Sequence, residues 1–203
     1  MIWIIITSEE RQMIIVYHDP GDEKEAEFFI KMMEENKINA KFIPISKIDN
    51  INPEKGELIV SLIPFGGGHN KSIEDIAKMN KAIFIKMPLN IIYDNLKYFL
   101  KGIKCKDVCF LYWKAKRFVE MQEKDIDLIL NNIRNDLGIK TYSNCNECHD
   151  CFVALTIMRG IMSEKAKELG EKCSSQVIEE LLSIIKDDLV KWVKNLQYAG
   201  GGV

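Results

Sequence analysis

Two histidines and a cysteine-dense loop hold most of the reactive chemistry in this chain. His18 and His69 each directly follow an apolar run that ends in a turn: Met13–Tyr17 before the first, and Leu58–Ile63 with Pro64-Phe65-Gly66-Gly67-Gly68 before the second. An apolar run of this kind predicts a buried strand, and ligands in open parallel sheets gather outside the carboxyl ends of strands. Both imidazoles are therefore expected at one end of a sheet, where two converging rings can hold a divalent metal or exchange protons near neutral pH. The competing reading is a pair of solvent-facing loop histidines. Gly66, Gly67 and Gly68 permit positive φ and close approach of a ligand to the backbone, which marks them as candidate substrate contacts. No Lys-Ser/Thr follows them and no G-x-G-x-x-G is present, so a nucleotide phosphate loop is disfavoured; a plain strand-to-helix turn remains the alternative.

The other constellation is Cys145-x-x-Cys148-His149-x-Cys151. Four soft or borderline donors within seven residues suit Zn²⁺ or part of an iron–sulfur cluster, with Cys105, Cys109 or Cys173 available to complete it. A redox thiol pair and unliganded cysteines are the alternatives. Tyr112-Trp113-Lys114-Ala115-Lys116-Arg117 offers aromatic and basic groups to an anionic ligand such as a carboxylate, or forms a solvated helix start. Asp19, Glu74 and Asp75 can assist a metal or a proton, although acids at a helix start also simply stabilise the helix.

The elements that must position these groups alternate. Strands are expected at Met13–Tyr17, Ala40–Ile45, Leu58–Ile63 and Ala82–Met87. Helices are expected at Glu23–Asn36, from Ile73 to Asn80 with Ser72 as cap, and at Ile91–Leu100. Strand-helix alternation argues for a parallel α/β sheet covered on both faces. The pattern restarts with Lys104–Tyr112, a helix over Phe118–Leu137 and a short strand at Ile139–Tyr142, and this order echoes residues 13–45 as a decayed duplication would. From Phe152 to Leu196 the periodicity gives two helices, parted near Gly170, and no convincing strand. Residues 1–104 thus read as an α/β domain, 105–143 as its continuation or a degenerate second half, and 144–203 as a cysteine-rich loop with C-terminal helices.

Composition narrows the classes. The chain has 203 residues, 47% hydrophobic and 29% charged, which describes a globular protein and excludes a disordered or collagenous one. Its net charge of −2 supplies no basic field for nucleic acid or an anionic membrane. No apolar run approaches the roughly 18 residues that span a bilayer. Met1–Thr7 is apolar but lacks a basic region and a cleavage site, so it is expected to be a buried strand, and the compartment is read as cytoplasmic. Six cysteines without an export signal are then expected as thiols or metal ligands rather than a disulfide framework.

Residues 13–104 resemble a known family. MIIVYHDPGDEKEAEFFIKMM at 13–33 is similar to the opening strand, histidine turn and helix of class II chelatases of the sirohydrochlorin cobaltochelatase type, with Tyr17-His18-Asp19-Pro20 where that family has Gly-His-Gly-Ser. LIVSLIPFGGGHNKSIEDI at 58–76 resembles the family's second signature, and Met87-Pro88-Leu89 its closing segment. The resemblance implies a flavodoxin-like, three-layer α/β fold and ATP-independent insertion of Co²⁺ or Ni²⁺ into a tetrapyrrole, within tetrapyrrole or cobalamin biosynthesis. It would place paired metal-binding and catalytic roles on His18 and His69. Some larger family members carry a C-terminal Cys-x-x-Cys iron–sulfur motif, with which Cys145–Cys151 is compatible. A non-catalytic metal or tetrapyrrole binder with an iron–sulfur cluster is the alternative function. The expected partner is a tetrapyrrole, with a homo-oligomer also compatible.

Overall fold

The computed structural model describes residues 12–199. Met1–Thr7, and the tail beyond residue 199, lie outside the described residues. The first half follows the expected alternation closely: β1 (Met13–Tyr17), α1 (Glu23–Glu35), β2 (Lys41–Pro44), β3 (Leu58–Ser61) and β4 (Ile83–Lys86), completed by α2 (Gly68–Asn80) and α3 (Leu89–Ile103). Its sheet is all parallel in the order β2-β1-β3-β4. β1 and β3 are buried at every position because they are central and covered on both faces, which explains their unbroken apolar sequence. Asp22 caps α1 by accepting from the Lys24 N–H. Between β2 and β3 the chain makes one short 3₁₀ turn (Ile45–Asn50) in place of a helix, and Ile45, Ile48 and Ile51 pack beneath the sheet beside α2.

The second half is β5 (Asp107–Leu111), α4 (Val119–Leu137), β6 (Lys140–Ser143), β7 (Cys151–Ala154), α5 (Ile161–Cys173), β8 (Gln176–Ile178) and α6 (Leu182–Tyr198). Its sheet is again parallel, in the order β6-β5-β7-β8. The strand order repeats that of the first half, so the echo seen between residues 107–142 and 13–45 extends through the whole chain. The two C-terminal helices are present, but β7 and β8 correct the expectation that residues 152–196 hold no strand. β7 has only four residues and β8 three, too few for a period to emerge from sequence. Val177, beyond Gly170 and so within the stretch expected to be the last helix, belongs to β8. Gly170 breaks nothing either: α5 runs through it to Cys173, and a Cβ there would meet Val177 Cγ2 at 2.1 Å. Glycine at 170 is what lets β8 lie against α5.

One continuous core joins the halves. The inward residues of β1, β3, β5 and β7 pack against the apolar faces of α1, α3, α4 and α6, with Phe29, Ile92, Leu96, Phe110, Ile133 and Val193 fully buried. α3 touches both α4 and α6, so it is the element through which the two sheets share a core. The outer faces carry smaller clusters, one under α2 and one under α5. Among the described residues no helix is long and apolar enough to cross a membrane.

The central place of α3 yields a measurable expectation. Leu96→Ala removes a fully buried side chain from the shared core and should cost about 2–5 kcal/mol of unfolding free energy in urea titrations. A loss under about 1 kcal/mol would mean that α3 does not bind the halves together.

Candidate functional site

The turn after β3 is built before its histidine is placed. Ser61, the last residue of β3, donates its hydroxyl to Asn70 Oδ1 at 2.6 Å, and Asn70 Nδ2 donates to the carbonyls of Ile63 at 2.9 Å and Phe65 at 2.7 Å. Ser61 and Asn70 are both buried, so these bonds satisfy polar groups that water does not reach. Asn70 also lies in the first turn of α2, which therefore starts at Gly68 rather than at the expected Ile73. Ser72 is inside the helix, not its cap. This puts His69 in the first turn of α2.

The glycines permit a close approach, and the partner is the second half of the chain. A Cβ on Gly66 would meet Met121 O at 2.8 Å, and Gly66 N–H donates to Asp125 Oδ2 at 2.7 Å. Gly67 has φ 137°, which side-chain-bearing residues rarely adopt, and faces Ala115. Gly68 faces Arg117: a methyl group on this glycine would lie 3.5 Å from the Arg117 Cβ. Lys86 at the end of β4 donates to the same Asp125 oxygen at 2.6 Å, so one carboxylate from α4 gathers the ends of β3 and β4.

His18 follows β1, the direct neighbour of β3 in the sheet. Its Nδ1 lies 3.1 Å from the Asp19 carbonyl. A carbonyl only accepts, so this contact is a hydrogen bond when the proton is on Nδ1, and in the neutral ring that leaves the Nε2 lone pair unused. Asp19 is itself anchored: its two carboxylate oxygens accept from the Ser46 N–H at 3.0 Å and hydroxyl at 2.5 Å. The next turn residue, Gly21, donates to Arg159 O at 3.1 Å, so the histidine turn rests on the loop after β7.

These supports bring the His18 and His69 rings to a centroid distance of 5.4 Å, tilted 49°. The fold thus brings side by side two rings that are 51 positions apart in sequence. Although the edge of His69 meets solvent, its surroundings strip hydration and hold its pKa below the ordinary 6.5; the nearby His18 adds to the lowering and Asp19 opposes it. His69 is thus neutral at pH 7, with a lone pair free for a metal or a proton. The second half has no counterpart: Tyr112 follows β5, and α5 opens on Ile161-Met162 where α2 opens on Gly68-His69.

The cysteine loop is divided by the structure. Cys145 pairs with Cys109, Cys148 with Cys173, and Cys151 with Cys105. Six paired cysteines correct the expectation of thiols or ligands. Cys151 faces the inter-sheet core and Cys109 the outer face, because Cys151 is in register with Val108 and successive residues of a strand point to opposite sides. Cys145, Cys148, His149 and Cys151 therefore do not converge as one four-donor set. Cys145 and His149 instead lie beside Cys109. Sequence reading missed Ser46, Asn70 and Asp125; none of them stands in a chemical motif, and only the fold reveals what they hold.

Comparison with known proteins supports the fold. No protein-family model matches the sequence, and no curated protein matches it. Among solved structures the chain is similar to the sirohydrochlorin chelatase SirB from Bacillus subtilis subspecies spizizenii, determined in complex with cobalt, with a TM-score of 0.62 and 12% identity over 93% of this chain and 95% of that one. It matches the maleate isomerase Iso from Pseudomonas putida S16 with a TM-score of only 0.39 and 10% identity over 95% and 96% of the two chains, a likeness too loose to carry an argument. The chain thus has a chelatase-like, three-layer α/β fold.

Two outcomes test the site's construction. In NMR titrations His69 should titrate below 6.5, and His18→Ala should move it upward by removing the nearby positive charge. Because the folded pKa lies below the unfolded one, His69 lowers stability as pH falls from 6.5 through its folded pKa, and His69→Gln should flatten that part of the stability curve. Gly66→Ala should cost about 1–3 kcal/mol in urea unfolding, through its clash with Met121.

Proposed function

We propose that this protein inserts a divalent first-row metal, Co²⁺ or Ni²⁺, into a polycarboxylated tetrapyrrole of the sirohydrochlorin class, without ATP. The observation that carries the reading is the pair of imidazoles at the carboxyl ends of adjacent strands, in a fold similar to that of a sirohydrochlorin chelatase crystallised with cobalt.

The chemistry is an exchange: two pyrrolic N–H protons leave as the metal enters. A neutral His69 can take a proton from the macrocycle or present its lone pair to the incoming ion, and His18 Nε2 faces the same task with its other nitrogen held by a carbonyl. Asp19, bound to Ser46, fixes the His18 turn and places a carboxylate near both rings. Binding of the macrocycle's carboxylates falls to the loop after β5. Arg117 is exposed and lies beside Gly68, one residue from His69, where a guanidinium can pair with a carboxylate. Gly66, Gly67 and Gly68 contribute to substrate binding by holding α2 and His69 against this loop.

Absorption spectroscopy with sirohydrochlorin and Co²⁺ or Ni²⁺ tests the proposal. Metallation should outpace the spontaneous reaction, and His69→Ala should lower kcat by about a hundredfold or more. Arg117→Ala should raise KM for the macrocycle about fivefold with kcat nearly unchanged, as expected for an exposed ion pair worth roughly 1 kcal/mol. Tight macrocycle binding with no acceleration would instead identify a carrier.

A further inference from the structure

The outer face of the second sheet holds donors that the histidine cleft does not use. Cys109 points outward from β5 into the small cluster under α5, together with Leu111, Phe152 and Ala154. The β6–β7 loop lays Cys145 and His149 against it. The two sulfurs and one imidazole nitrogen lie within 4.8 Å of one another. A tetrahedral ion with Zn–S bonds of about 2.3 Å and Zn–N bonds of about 2.0–2.1 Å needs its donors somewhat under 4 Å apart. Small side-chain rotations bring the three groups to that spacing, the sulfurs moving apart once the Cys109–Cys145 bond opens.

Three further observations favour an ion here. The Cys145 N–H donates to Cys109 Sγ at 3.1 Å, an interaction that stabilises negative charge on sulfur. The His149 side chain is only 7% exposed, and its buried Nδ1 has no hydrogen-bond partner, although Asp107 Oδ1 lies 3.3 Å away off the bonding line. Buried polar atoms are nearly always satisfied, and a metal ion is one partner that would satisfy this set of donors. Finally, Asp107 is itself fixed by the Asp150 N–H at 2.8 Å, which holds a carboxylate and its negative charge beside these donors. The ring is held between Tyr142, 4.6 Å away, and Phe152, while the Ser175 hydroxyl donates to the His149 carbonyl.

We propose that Cys109, Cys145 and His149 form a redox-gated site for one divalent ion of the zinc type. A small thiol reductant, RSH, opens the site: Cys–S–S–Cys plus two RSH gives two cysteine thiols and RSSR. Ion binding then releases two thiol protons to solvent and leaves two thiolates and a neutral imidazole as ligands, with water in the fourth position. A disulfide oxidant RSSR reverses this, taking two electrons from the thiolates, re-forming the cystine and expelling the ion. The site is separate from the histidine cleft and stands whether or not the protein is a chelatase.

The test uses the full chain carrying His18→Ala and His69→Ala, so that the cleft supplies no ligand, with Co²⁺ as the spectroscopic probe. The reduced protein should bind a single equivalent with thiolate-to-cobalt charge-transfer absorption, displaced by Zn²⁺, and the oxidised protein should show no such band. Cys145→Ser should weaken the band and the affinity, while His149→Ala should keep the band and lose about tenfold or more in affinity. Asp107→Asn removes a negative charge beside the ion and should weaken binding by about tenfold with the band intact. Circular dichroism checks that each variant is folded. A folded, reduced protein without the band, an affinity untouched by both Cys145→Ser and His149→Ala, or iron with acid-labile sulfide at these cysteines would overturn the proposal.

Discussion

The buried contact between Ser61 and Asn70 is the constraint on which the rest of the site depends. It ties the end of a central strand to the first turn of the next helix and uses Asn70's amide to hold two carbonyls of the intervening turn. Without it, three glycines in succession would leave that turn free to wander, since glycine loses the most conformational freedom on ordering. With it, α2 begins at Gly68 and His69 is delivered toward β1. The same turn then becomes the seam between the halves, because Gly66 has no side chain to keep Met121 away and its N–H finds Asp125. A single turn thus settles the position of the imidazole and the docking of α4.

The repeated strand order gives the two halves different work. The first half presents polar chemistry at its strand ends, where His18 and His69 meet and the lowered pKa of His69 keeps a lone pair available. The second half lacks histidines at the corresponding positions and supplies walls instead: Ala115 and Arg117 against the glycine turn, and Arg159 against the His18 turn. Its own soft donors lie on the outer face, where the β6–β7 loop takes the place that the 3₁₀ turn occupies in the first half. The strand ends of the first half thus carry imidazole nitrogens and carboxylate oxygens, and the outer face of the second sheet carries sulfur.

What the sequence by itself determined is local. The unbroken apolar runs of β1 and β3 announced buried parallel strands, the stripe of α1 announced its inward face, and the position of His18 just after one strand and of His69 beyond the glycine turn of another placed both at the carboxyl end of the sheet, because strands buried on both faces admit polar groups only at their ends. The six cysteines were visible as a group, yet their partners were not. Cys151 and Cys145 are close in the chain, but the pleat sends one into the core and lets the other reach Cys109, a residue 36 positions away. β7 and β8 escaped notice because strands of four and three residues leave no period to read. The tertiary structure alone decided that Gly66–Gly68 should meet the neighbouring half, that Asn70 and Asp125 should hold the turn together, and that His149 should be buried beside two sulfurs. Each of these depends on groups from distant parts of the chain arriving at one place, and spacing along a sequence carries no record of that.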